Sequence, residues 1–93
     1  MWQLVLSRQF LKALRTAGPD VRKAVDGFIA AHQDGIADPT RLAGICKLAG
    51  EENFYRLRFG RWRVGIEVEP ERRLVILRWV GARGVFYKHF PSR

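Results

Sequence analysis

Between Phe54 and Val68 the chain twice alternates large apolar side chains with arginine, glycine or glutamate, and only Gly60-Arg61 separates the two runs. Side chains along a strand point to opposite faces in turn, so a period of two fixes which residues share a face. Phe54–Phe59 and Trp62–Val68 are therefore read as strands, and glycine at the first of two loop positions predicts a type II′ hairpin. In the first strand Tyr55, Leu57 and Phe59 fall on one face, with Arg56 and Arg58 on the other. In the second, Trp62, Val64 and Ile66 share one face and Arg63 and Gly65 the opposite one. The apolar sets require a cover, and the arginines converge on the face left open.

The N-terminal half supplies that cover. Trp2–Leu6 is a short apolar run with β-branched and aromatic character, read as a strand. Ser7 is a helix N-cap, and Phe10, Leu11, Leu14 and Ala17 form the apolar stripe of a helix that Gly18 stops. Pro19-Asp20 opens a second helix. Its apolar residues, Val21, Val25, Phe28 and Ile29, recur at helical spacing, and it ends near Gln33–Gly35. Residues 36–50 read as irregular, with Leu42, Ile45 and Leu48 tucked against the core. Leu74–Val80 is apolar on both faces and belongs in the middle of a sheet. Gly81-Ala82 reads as a bend, and Arg83–Lys88 as a last short strand that would bring Arg83 and Tyr87 to the border of the arginine patch. The expected fold class is α+β: an N-terminal strand and a two-helix hairpin packed on a twisted antiparallel sheet, all within one domain, residues 1–93.

Charge narrows the partners. Lysine and arginine total 17 against 9 acidic residues, a net +8, and thirteen of the 17 are arginine. Arg56, Arg58, Arg61 and Arg63 crowd the segment 54–63 without one acid. Guanidinium forks bind phosphate bidentately, so the cluster suits a polyanion; a generic solvated face or an acidic protein would satisfy the charge count as well. A single cysteine, Cys46, permits no internal disulfide, and a small chain without disulfides points to the cytoplasm. No run approaches the roughly 20 apolar residues of a membrane span, so no membrane partner is expected. Neither a metal nor another cofactor is expected, because Cys46 and two distant histidines lack ligand spacing.

There is no Ser-His-Asp set and no phosphate-binding glycine loop. RNA cleavage needs neither. The 2′-hydroxyl attacks the adjacent phosphorus, charge builds on the phosphoryl oxygens, and the 5′ oxygen leaves. Cations aimed at that charge and an in-line geometry supply much of the rate. Arginine stays protonated and is a poor base. Tyr87 and His89 are the C-terminal groups able to move a proton, and His89 has the more suitable ordinary pKa.

The segments Lys47-Leu48-Ala49-Gly50, Tyr55–Val64 and Gly81–Lys88, with Phe10–Leu14 at the start of the first helix, resemble the RelE/ParE toxin superfamily of type II toxin–antitoxin systems. The resemblance spans nearly the whole chain and favours the RelE-like branch, whose members are ribosome-dependent messenger-RNA endonucleases, or mRNA interferases. It implies catalytic roles for Arg56, Arg58, Arg63, Arg83 and Tyr87, with His89 as an auxiliary and Arg61 and Lys88 as RNA contacts. Arginines at 56 and 58 stand where the family's best-known member has lysines, which argues against proton transfer there and keeps charge stabilisation. The implied partners are a cognate antitoxin protein, the ribosome and messenger RNA. ParE-like members share the fold and inhibit DNA gyrase without cutting RNA, which is the alternative function. A plain RNA-binding module is a third reading, disfavoured because Phe59 and Trp62 fall on the covered face, away from any stacking role.

Overall fold

A computed structural model describes residues 1–90, with the backbone alone for Tyr87 and His89. Strand β1 (Gln3–Leu6) leads through Ser7 into α1 (Arg8–Ala17), and α2 (Pro19–Ala31) follows after Gly18. A 3₁₀ turn at Pro39–Arg41 precedes β2 (Ile45–Lys47), β3 (Phe54–Phe59), β4 (Trp62–Glu69), β5 (Leu74–Ala82) and a short helix, α3 (Phe86–His89). The five strands form one sheet in the order β1-β5-β4-β3-β2. Pairing is antiparallel from β2 through β5; β1 lies parallel on β5, from Gln3 opposite Leu74 to Leu6 opposite Leu77, and makes the sheet mixed. The α+β expectation, with an N-terminal strand and two helices over a sheet, holds. Among the described residues no helix is long and apolar enough to cross a membrane.

Local chemistry explains the elements. The Ser7 side chain accepts the Phe10 N–H at 3.1 Å, which satisfies one of the free donors at the start of α1. Pro19 opens α2, where its missing N–H removes nothing. Phe10 and Leu14 of α1 and Val21 and Val25 of α2 are buried against Leu57, Val64, Ile66, Val75, Leu77 and Val80 of the sheet. Leu11 departs from its expected place in the stripe and is 43% exposed. It stands about 100° round the helix from Phe10, off the face that meets the sheet. Replacing the fully buried Ile66 with valine removes one methylene from this core. An urea-denaturation midpoint for Ile66→Val is expected to report a loss of about 0.5–1.5 kcal/mol.

The hairpin forms as expected, with Gly60 at φ +56 and Phe59 paired to Trp62. Three expectations are corrected. Residues 36–50 are not wholly irregular: Ile45–Lys47 pairs with Tyr55–Leu57 as an edge strand. The bend placed at Gly81-Ala82 does not exist, because β5 runs on through Ala82 paired with Trp62. The last strand expected over Arg83–Lys88 is instead a turn followed by α3, in which the Lys88 N–H bonds the Val85 carbonyl and the Phe90 N–H the Phe86 carbonyl. Phe86 and Phe90 stand four apart, so one helical turn sends both to the same side.

β5 also carries an irregularity that matters for the site. Gly65 pairs with Trp79, while Ile66 pairs with Leu77, so Arg78 is an extra residue. A bulge of this kind shifts the phase of the strand. It lets Val75 and Leu77 before it, and Val80 after it, all reach the main core. Arg78 reaches Glu67 across the sheet.

Candidate functional site

The sheet face away from α1 and α2 carries the residues singled out by alternation. Arg56 is opposite Gly65 on one side and Cys46 on the other. Arg58 stands directly opposite Arg63, and Arg63 is opposite Gly81. Beyond the hairpin, the Arg83 N–H donates to the Arg61 carbonyl at 3.2 Å, which ties the end of β5 to the loop. Arg58, Arg61 and Arg83 are exposed and Arg56 is half-buried. Arg56 and Arg58 from β3, Arg63 from β4, Arg61 from the hairpin loop and Arg83 just beyond β5 thus gather on the hairpin side of the sheet. Glycine at position 44 (φ +82) makes this possible on the β2 side, since a Cβ there would stand 3.3 Å from the Arg58 carbonyl oxygen.

Arg63 behaves differently. It is only 5% exposed, and its Nη1 donates to the Gly60 carbonyl at 2.8 Å and the Trp62 carbonyl at 3.0 Å. A charged donor satisfying two carbonyls of the hairpin braces the loop from beneath. The expectation that Arg63 lies on open surface is corrected: its positive charge sits behind Arg58 and Arg61 rather than beside them.

Two acids on this side, Glu67 and Glu69, are committed to arginines. Glu67 accepts from Arg78 Nε at 2.8 Å, and Glu69 accepts from Arg72 Nη2 at 2.8 Å. The hydrogen bond from Arg72 holds the Glu69 carboxyl below its ordinary pKa, so it stays ionised and acceptor-only near neutrality. Held ionised, Glu69 is not poised as a general acid. The ion pairs among the described residues engage Arg41, Arg72 and Arg78; Arg58, Arg61 and Arg83 take part in none of them.

The face is not fully open either. Leu48, Phe86 and Phe90 form a second buried cluster on it, with Phe54 and Trp79 packed alongside. Phe90 contacts Phe54 edge-on at 5.5 Å between ring centres, and Phe86 at the same separation. Beside this cluster lies a groove of about 460 Å³ bounded by Arg56, Cys46, Lys47, Glu51 and Phe90. Lys88, exposed on α3, lies on the same C-terminal turn. The backbone of α3 carries Tyr87 and His89; their side chains, and with them both proton-transfer assignments, lie outside the described residues. The aromatic cover was missed in the sequence. Its signal was the pair of strand glycines, Gly65 and Gly81, since glycine inside a strand marks a close approach.

Comparison with known proteins adds four findings. Residues 4–83 match the family described as "ParE toxin of type II toxin-antitoxin system, parDE". Toxin RelE3 of Methanocaldococcus jannaschii is 30% identical over 89 residues, which cover 96% of this chain and 99% of that protein. A chain of the RelB-RelE antitoxin-toxin complex from Methanococcus jannaschii superposes with a TM-score of 0.74 at 31% identity, covering 94% of this chain and 99% of its own length. The archaeal RelE-RelB complex from Pyrococcus horikoshii OT3 aligns with a TM-score of 0.68 at 21% identity over 89% of this chain and 96% of that one, a likeness of fold.

Proposed function

We propose, from the premise that this chain belongs to the RelE/ParE superfamily of type II toxins and is RelE-like, that it is a ribosome-dependent messenger-RNA endonuclease held in check by a cognate antitoxin. The observation that carries the nuclease reading is the gathering of Arg56, Arg58, Arg61 and Arg83 on one sheet end, with the Arg63 charge behind them. A dianionic phosphorane-like transition state gains most from fixed cations that need no rearrangement. Arg58 and Arg83 grip the scissile phosphate and Arg56 its charge from the groove side. Arg61 and Lys88 hold flanking backbone. Arg63 keeps the hairpin, and so Arg58 and Arg61, in place. Tyr87 takes the proton of the 2′-hydroxyl, with His89 as the alternative. The oxygen attacks phosphorus, the bond from phosphorus to the 5′ oxygen breaks, and that oxygen takes up a proton. The products are a 2′,3′-cyclic phosphate and a 5′-hydroxyl. No metal or other cofactor enters this scheme.

The antitoxin follows from the same premise and from the charge. A neighbouring small acidic protein that covers the basic face or the helices would mask the +8 surface. Expression of the chain alone is expected to arrest growth, and co-expression of that protein to relieve the arrest. Normal growth at high soluble expression would sink the toxin assignment. The mechanism is tested in a translating extract, where ribosome-bound message is cut to fragments with 5′-hydroxyl ends. The match to ParE toxins favours one second reading, inhibition of DNA gyrase. Intact message together with stalled supercoiling would select it.

A further inference from the structure

Gly65 sits in the middle of β4, opposite Arg56, with the Phe90 ring lying directly on its backbone. A Cβ at this position would stand 2.5 Å from Phe90 Cγ and 2.6 Å from both Cδ atoms. Real Cβ atoms do not come so close to a ring, so only glycine admits Phe90 here. On the next strand Gly81 is covered in the same way by the indole of Trp79, and a Cβ there would overlap it. Trp79 in turn meets Phe86 at 6.0 Å between ring centres. Two glycines on adjacent strands thus make a notch in the arginine-bearing face, and aromatic side chains from β5 and the C-terminal turn fill it.

Among the described residues, Phe86 and Phe90 are the buried anchors of the turn that they bracket. A four-residue helix has too few internal bonds to repay its own nucleation. Its order comes from the two anchors, which are 0% and 2% exposed. The cluster they join is separate from the main core between the helices and the sheet. Loss of the anchor therefore releases the turn and leaves the body of the fold standing.

We propose that Gly65 and Phe90 are positioning residues: the ring of Phe90 locked on the bare backbone of Gly65 sets where the Tyr87–His89 backbone stands relative to Arg56 and Arg58. The inference rests on the nuclease reading above for its consequence, and on packing alone for the lock itself. Misplacing a reacting group by about 1 Å lowers a rate by about 10²-fold while substrate binding, carried by other groups, persists. Gly65→Ala is expected to lower kcat for ribosome-bound message by about 10²-fold with little change in KM. Phe90→Ala, which leaves the strand untouched, is expected to do the same. Because both break one contact, the double variant is expected to be no worse than either single one. Hydrogen exchange at the Phe90 amide, which donates to the Phe86 carbonyl at 3.0 Å, is expected to quicken in all three.

Unchanged exchange at that amide in Gly65→Ala overturns the lock. Faster exchange with parental kcat, a rise in KM alone, or multiplying effects in the double variant overturn the positioning role. A parent protein that never cuts message overturns the nuclease reading instead, and with it the catalytic consequence; the exchange arm still decides the lock.

Discussion

Replacing Tyr87 with phenylalanine is expected to lower cleavage of ribosome-bound message by about 10²–10⁴-fold, the usual worth of a general acid or base. The substitution keeps the ring and removes only the hydroxyl, so melting temperature and ribosome affinity stay at parental values. A phenol ordinarily titrates near pH 10. If Tyr87 is the base, the parental rate rises with pH as the phenolate fraction grows, and Tyr87→Phe removes that rise. His89→Gln separates the two C-terminal candidates and is expected to do much less. A parental rate in Tyr87→Phe with a dead His89→Gln reverses the roles. Parental rates in both remove proton transfer from the C-terminal turn altogether.

The hairpin and the two helices were legible because each is specified locally. Alternation, Gly60-Arg61 and the caps at Ser7 and Pro19 all point the same way, and the observed elements follow them. Strand β2 was not legible. Three residues, Ile45–Lys47, carry no period, and they are a strand only because the edge of β3 is free to pair. The place of β1 was a question of tertiary pairing, and nothing local in Trp2–Leu6 chooses β5 over another neighbour. The C-terminal turn misled for a different reason. Arg83–Lys88 alternates like a strand, yet Phe86 and Phe90 at a spacing of four argue for a helical turn, and burial of both rings decides between them.

The site was half legible on the same grounds. Alternation assigned Arg56, Arg58 and Arg63 to one face, and the observed register puts Arg58 opposite Arg63. Which arginine is exposed is a matter of local geometry. The carbonyls of Gly60 and Trp62 converge under the hairpin loop and capture the Arg63 guanidinium. Only three-dimensional packing shows that. The bulge at Arg78 was equally invisible, and it places a cation beside Glu67 rather than in the arginine cluster.

Reversing the charge of Arg56 and Arg58 together is expected to weaken RNA and ribosome binding by about 10²–10⁴-fold, which is two charge-assisted hydrogen bonds at about 1.5–3 kcal/mol each. The two sit two residues apart on β3, with Arg58 exposed and Arg56 half-buried, a spacing that would let them follow one phosphate backbone. Displaced counterions drive such binding. For a single strand each lost phosphate contact is expected to make the slope of log affinity against log salt shallower by about 0.7. A protein whose net charge is lower by four would lose some affinity wherever the charges were reversed. Arg22→Glu with Lys23→Glu supplies the control, since both residues are exposed on α2, away from the arginine-bearing face, and the net change is the same. The expected result is a large loss and a shallower slope for the β3 pair, against a small loss and a parental slope for the α2 pair. Equal losses would reduce the arginine cluster to net charge, and a greater loss from α2 would move the nucleic-acid surface to the helices.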